Sequence, residues 1–231
     1  MAASNLYING QRQIENDVFE TPEGKLTIFF IGHASLMFEL NGEHIYVDPV
    51  SEFADYSILP KASLILITHQ HPDHFDTSAL SKVMQKSTQF IVTATVFNEY
   101  HSGITLKNGD IKIVGNMEIE AVPAYNTTPG REKFHPKGRD NGYIITIGKK
   151  RIYIAGDTEN IPEMSSLKNI DIAFLPMNQP YTMTPKQVAE ATKRFDPKIL
   201  YPYHYSNTDV SQIQKSLAGD KKTEVRIRQL Q

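Results

Sequence analysis

Cysteine is missing from all 231 residues. Disulfides and thiolate ligands are thereby excluded, so any metal must be held by histidine, aspartate or glutamate. A cysteine-free chain suits a reducing or an oxidising compartment equally. No apolar run reaches the ~18 residues that a membrane-spanning helix needs. A strong charge bias is lacking as well: the formal charge is −2, which offers no general attraction to nucleic acid or an anionic membrane. Met1 to Asn5 lack the basic stretch and apolar core of a signal peptide. The expected compartment is the cytoplasm, the alternative being an exported mature form whose signal was replaced by a methionine. Short-period repeats, low-complexity tracts and linkers are absent, so residues 1–231 read as one domain. Apolar content of 40% and charged content of 22% are ordinary for a globular chain of this length. Nothing sets the oligomeric state.

What the chain does contain is concentrated between Leu64 and Phe75, in L-I-L-I-T-H-Q-H-P-D-H-F. Leu64 to Ile67 read as a short strand buried on both faces. Three histidines and an aspartate follow within six residues. In extended chain i and i+2 point the same way, which aims His69 and His71 at one point. Pro72 stops the strand, and Asp73 and His74 fall in the next turn, aimed at a second point. Asp76 is placed to cap a helix whose buried stripe is Ala79, Leu80, Val83 and Met84. Imidazoles and a carboxylate at a strand end suit zinc or another first-row divalent ion. The alternative, a polar loop of hydrogen-bonded histidines, fits one such residue better than four.

The remaining chain mixes strands and helices. Polar, turn-rich residues up to Gly24 include an Asn9-Gly10 turn between short strands. Strands follow at Leu26–Ile31 and up to Leu40, then Asn41-Gly42 as a hairpin turn and His44–Val47 as the returning strand. Further strands are expected at Gln89–Ala94, Ile104–Leu106, Ile111–Val114 and Glu118–Val122, with a short helix through Tyr100. Residues 123 to 142 read as a long, basic and functional loop. Beyond it come strands at Tyr143–Ile147, Arg151–Ala155, Ile172–Leu175, Ile199–Tyr201 and Glu224–Ile227, with helices at Pro185–Phe195 and Val210–Leu217. Such alternation implies sheets covered by helices, an α/β class (α+β in some schemes).

T-H-Q-H-P-D-H-F resembles the signature of the metallo-β-lactamase-fold hydrolases, which hold two metal ions through five short motifs. The likeness runs from about Leu26 to His204. In motif style it is closest to the small lactonase-like branch that includes ascorbate-phosphate lactonase. The phospholipase D acting on N-acyl-phosphatidylethanolamine is a more distant relative in style. The resemblance implies a four-layer αββα sandwich with the site along one edge. It makes Asp157, in Gly156-Asp157-Thr158, the carboxylate bridging both ions, where an isolated residue would read as a helix cap. It makes His204, in Tyr-Pro-Tyr-His-Tyr, the last ligand. Asp48 becomes a supporting aspartate, and His33, in Gly-His-Ala-Ser, a neighbour of the site or an ordinary loop residue.

One position departs from the family pattern. Relatives carry a histidine where this chain has Asn126, in Pro123-Ala124-Tyr125-Asn126. An amide oxygen is a poorer zinc donor than imidazole, and His135 is the expected substitute, with Asn126 the alternative. One ion would then be held by His69, His71 and His135, the other by Asp73, His74 and His204, with Asp157 between. Zinc is the first expectation, with manganese or iron as alternatives. The implied chemistry is attack by a metal-activated hydroxide on a small ester, lactone or phosphoester, Asp73 orienting the nucleophile or carrying its proton. Arg131, Lys133, Lys137 and Arg139 surround His135. They read either as a clamp for an anionic substrate or as a solvated loop. Tyr125, Tyr143 and Tyr181 are candidate pocket walls. Other readings are a nuclease or an iron-dependent redox enzyme on this fold, and a non-catalytic protein binding a metal or ligand.

Overall fold

The structure, a computed structural model, describes residues 14–230; the Asn9-Gly10 turn lies outside them. One sheet runs in chain order through β1 (Glu15–Thr21), β2 (Gly24–Gly32), β3 (Ser35–Leu40), β4 (Glu43–Val47), β5 (Leu64–Leu66), β6 (Gln89–Val92) and β7 (Ile104–Thr105). The other contains β8 (Ile111–Val114), β9 (Met117–Ala124), β10 (Asp140–Ile147), β11 (Lys150–Ile154), β12 (Ile172–Pro176), β13 (Ile199–Tyr203) and β14 (Glu224–Val225), in order from one edge to the other. Four short helices, α1 (Thr77–Val83), α2 (Ala94–Tyr100), α3 (Pro185–Phe195) and α4 (Ser211–Ser216), complete the layers.

Alternation along β2 shows why the layers stack as they do. Leu26, Ile28 and Phe30 point into a core shared with Phe174 and Tyr201 of the second sheet, whereas Phe29 and Ile31 point to the opposite face, against Ala79, Leu80 and Val83 of α1 and Val96 of α2. Val188, Ala191 and Phe195 of α3 join the core on the second sheet's side. The result is the expected αββα sandwich. Helix α1 starts where Asp76 accepts from the Ser78 amide at 2.7 Å. Asn41 and Gly42 both adopt positive φ (53° and 81°), the backbone that a two-residue hairpin requires. No described helix is long and apolar enough to cross a membrane.

Several boundaries differ from the sequence reading. The short strand expected between the Asn9-Gly10 turn and Gly24 is β1, an edge strand held by its pairing with β2 and a few inward contacts such as Phe19. β6 ends at Val92 because the Thr93 hydroxyl caps α2, and Met84 is the C-cap of α1, partly buried against the same core as Ala79, Leu80 and Val83. The long loop shrinks to 125–139, since Pro123 and Ala124 pair with Asn141 and Asp140. Pro123 can stand there because its nitrogen lies on the same side as the Ala121 amide, toward β8, whose pairing with β9 ends at Glu120.

Strand β1 also anchors the end of the chain. Asp17 takes a bidentate Arg228 guanidinium, Nη2 lying 2.7 Å from each oxygen, and accepts from the Tyr201 hydroxyl. Two residues on, the Leu230 carbonyl accepts from the His33 amide at 2.8 Å, and the His33 carbonyl accepts from the His204 amide at 3.1 Å. Burial raises the Asp17 carboxyl, but Arg228, Tyr201 and Arg226 outweigh it and hold the group below its ordinary value. A depressed acid stabilises the fold above its unfolded pKa and loses that contribution as pH falls through the folded one. Asp17→Asn is therefore expected to cost about 1–3 kcal/mol at neutral pH. In thermal melts the gap to wild type should close as pH falls below about 4; a pH-independent gap would contradict the assignment.

Candidate metal centre

The centre forms at one edge of the sandwich, where β5 ends. Past Leu66, Thr68 is fully buried, and its amide and hydroxyl both donate to Asp48, at 2.8 and 2.7 Å. Asp48 Oδ2 also accepts from His74 Nδ1 at 2.8 Å. These bonds decide two tautomers. Nδ1 of His74 carries the proton, leaving the Nε2 lone pair free. The single Thr68 hydroxyl proton goes to Asp48, so Thr68 Oγ1 must accept at 3.0 Å from His69 Nδ1, and the His69 Nε2 lone pair is free as well.

Two donor sets result. His69 Nε2 lies 3.0 Å from His71 Nδ1, which lies 3.3 Å from His135 Nε2. Asp73 Oδ2 lies 3.2 Å from His33 Nε2, 3.4 Å from His204 Nε2 and 3.8 Å from His74 Nε2. Asp157 stands between them, 3.5 Å from His135, 3.4 Å from His74 and 3.2 Å from His204. His69 and His71 meet as their spacing suggests, although the strand has already ended at Leu66. His33 stands nearer than a loop neighbour: its ring centroid is 3.8 Å from that of His204.

Asp157 reaches this position because Gly156 adopts φ +64°; a Cβ there would meet the Asn141 carbonyl oxygen at 2.8 Å. Of the two residues weighed for the third nitrogen, His135 is in the first set. Asn126 instead turns its amide to the Tyr181 and Arg131 carbonyls, at 2.8 and 3.3 Å. It clasps two loops together. Its backbone amide donates to the His135 carbonyl at 2.9 Å, which carries that histidine inward.

The basic loop residues are not gathered at the site. Lys137 pairs with Glu163 and the Tyr125 hydroxyl, at 2.8 and 3.0 Å. Arg139 bonds Asp140 through two nitrogens, at 2.7 and 2.8 Å, and the Phe134 carbonyl. Arg131 reaches Glu159 at 3.7 Å. None of these lines the cavity of about 720 Å³ above the centre, and their local ion pairs fit the solvated-loop alternative, although Arg139 lies close enough to His71 and His135 to oppose their protonation. Tyr125 and Tyr143 are likewise away from it: Tyr125 is bonded to Glu163 and Tyr143 to the Ile67 carbonyl. Tyr181 does line the cavity, together with Phe53, Phe134, Asn178 and Asn207, which carry no sequence signature.

Charge at the centre is unevenly compensated. Burial pushes His69 well below the usual imidazole range and His135 down to about 4, so both favour the neutral form with a lone pair to give. Burial also opposes protonation of His204, yet Asp157 and Asp73 raise it to about 10. Asp157 itself is held well below the carboxylate range, since His204 and His74 overcome its burial. His74 Nε2, His204 Nε2 and Asp157 Oδ1 are buried without an aligned hydrogen bond; the short His204–Asp157 distance is a contact of poor geometry. Orphaned donors of this kind are costly unless a cation satisfies them. Three imidazole nitrogens on one side, and imidazoles with a carboxylate on the other, fit first-row divalent ions.

The chain belongs to the β-lactamase superfamily, whose domain model (Beta-lactamase superfamily domain) matches residues 27–204. It is 30% identical over 201 residues to the UPF0173 metal-dependent hydrolase of Roseobacter denitrificans, covering 80% of this chain and 88% of that protein. A crystal structure from Parabacteroides distasonis, assigned as a metal-dependent hydrolase, is 54% identical and superposes with a TM-score of 0.92 over 94% of this chain and all of that one. Igni18, a metallo hydrolase of Ignicoccus hospitalis, shares the fold at 23% identity, with a TM-score of 0.73 over 89% of this chain and 95% of that one. The protein is a metal-dependent hydrolase of this superfamily.

Asp48 is the part of the centre most open to test without metal. Asp48→Asn removes an acceptor from a fully buried network and is expected to cost about 1–3 kcal/mol in denaturant unfolding of the metal-free protein. An unchanged midpoint would mean that the three bonds do not organise Thr68 and His74.

Proposed function

We propose that the chain holds two divalent cations, zinc first among them, and hydrolyses a small carboxylic ester or lactone. His69, His71 and His135 would hold one ion, Asp73, His74 and His204 the other, and Asp157 would face both. The buried nitrogens and carboxylate oxygen around Asp157 carry this reading: without metal, His204 takes up a proton to balance Asp157 and Asp73, and a bound cation would supply that charge instead. A bound pair of divalent ions supplies charge that lowers the pKa of a water toward neutrality and stabilises the anion developing on the substrate.

The chain's own residues do the rest. Asp73 is the most exposed carboxylate of the centre, its side chain 45% accessible, and it faces the cavity. Burial raises its carboxyl, but His204 and His33 outweigh this and keep it far below the ordinary range. Facing the cavity beside the second donor set, it is placed to orient the attacking water or to carry its proton to the leaving group. His33 holds Oδ2 of Asp73 from the other side. Asp48 fixes the His74 ring, and the buried Thr68 fixes His69, so the donors do not reorganise as charge develops. Phosphoester cleavage asks for the same nucleophile; the cavity walls favour the carboxylic substrate.

Removal of metal by a chelator should abolish turnover of simple lactones, and zinc should restore it at two ions per chain by elemental analysis. Asp73→Asn should lower kcat by roughly 10²- to 10⁴-fold. Turnover that survives metal removal, or an Asp73→Asn variant with wild-type kcat, would refute the reading.

A further inference from the structure

Above the donor sets the cavity wall carries no lysine or arginine among the described residues, and outside the histidine–aspartate cluster its one charged residue is Glu52. Three aromatic rings line it instead. Phe53 stacks on His33 with centroids 5.5 Å apart and planes 17° from parallel. Phe134, adjacent in sequence to His135, meets Tyr181 edge to face at 5.0 Å. A ring thus stands beside each donor set. The Tyr181 side is fixed by its backbone: its carbonyl accepts from Asn126, its amide donates to the Asn178 carbonyl at 3.1 Å, and Thr182 closes the same turn. The Tyr181 residue nevertheless remains 44% exposed, an aromatic surface held rigid at the rim. Asn178 and Asn207 add neutral polar groups.

The cations that could have met an anionic substituent are engaged elsewhere. Lys137 and Arg139 have carboxylate partners, and Lys133 lies over the Phe134 ring at 5.3 Å without lining the cavity. A second anionic group on the substrate, held away from the metal ions, would therefore face Glu52 and aromatic carbon, with no side-chain cation on the wall to offset its desolvation.

We infer that the substrate is an uncharged ester or lactone bearing an aromatic group, seated among Phe53, Phe134 and Tyr181, with no carboxylate or phosphate beyond the bond that is cleaved. The inference rests on the hydrolase reading above. In the reaction, water adds its oxygen to the carbonyl carbon, the acyl carbon–oxygen bond breaks, and the water's proton passes to the leaving alkoxide. A lactone thus becomes a hydroxy acid. Edge-to-face and stacked contacts with a ligand ring supply selectivity, and the neutral wall rejects the anion.

The test compares zinc-loaded protein on three γ-butyrolactones substituted at the α carbon with benzyl, methyl or carboxymethyl. Alongside it, saturation-transfer NMR follows 3-benzyltetrahydrofuran, which keeps the ring and has no carbonyl to attack. The benzyl lactone should exceed the carboxymethyl one in kcat/KM by about tenfold or more. Tyr181→Ala should cut the benzyl-to-methyl ratio by about tenfold and weaken transfer to the phenyl protons, with Phe53→Ala as the second variant. Glu52→Gln should raise kcat/KM for the carboxymethyl lactone. Equal or better turnover of the carboxymethyl lactone, or ratios and transfer indifferent to Tyr181 and Phe53, would overturn the inference and leave the hydrolase reading standing. Ring transfer that depends on Tyr181 with no lactone hydrolysed would refute the hydrolase reading and support the aromatic site.

Discussion

A carboxylate with no exposed surface must find donors inside the protein, and Asp48 finds three: the amide and hydroxyl of Thr68 and Nδ1 of His74. Everything at the centre follows from how those protons are committed. Because the Thr68 hydroxyl gives its proton to Asp48, it can only accept from His69; because His74 gives Nδ1–H to the same carboxylate, its Nε2 is left bare. One buried anion thus points lone pairs from two imidazoles toward Asp157. The sheets contribute by bringing Asp48, at the end of β4, beside the end of the parallel β5, where the Asp48 amide bonds the Leu66 carbonyl at 3.0 Å.

The other half of the centre depends on the chain's end. His33 and His204 both adopt positive φ, 52° and 46°, conformations costing on the order of 1 kcal/mol or more each in a residue with a Cβ. They persist because the surroundings hold them: Leu230 grips the His33 amide, and the His33 carbonyl grips His204. The ion pair of Asp17 with Arg228 anchors that segment to β1. Stability at one edge of the first sheet is therefore coupled to the placement of two imidazoles in the site.

Legibility in the sequence tracks distance along the chain. His69, His71, Asp73 and His74 are adjacent, so their common purpose is visible as a spacing, and the buried strand before them says where they sit. The layered fold was readable from the alternation of strand and helix together with the family motifs. Partners remote in sequence were hidden. The partners of Arg131 and Lys137 could not be read because Glu159 and Glu163 lie more than twenty residues away. Phe53, Phe134 and Asn178 come from loops without periodicity and meet only when the sandwich closes. Strand β1 was expected only as a short strand without bounds, because the limits of an edge strand with polar outward residues are set by the neighbour it pairs with.

The departure at Asn126 has a physical logic of its own. An amide in place of the family's imidazole makes a clasp between the loops carrying Phe134 and Tyr181, while the nitrogen at the first donor set comes from His135. One donor, His135, and one aromatic wall residue, Phe134, thereby come from the same segment, 125–139. The most direct measurement is anomalous scattering at the zinc edge from crystals of the zinc-loaded protein. The account predicts two peaks about 3.5–4 Å apart, one among His69, His71 and His135 and one among Asp73, His74 and His204, with Asp157 between. A single peak, or peaks remote from Asp157, would contradict it.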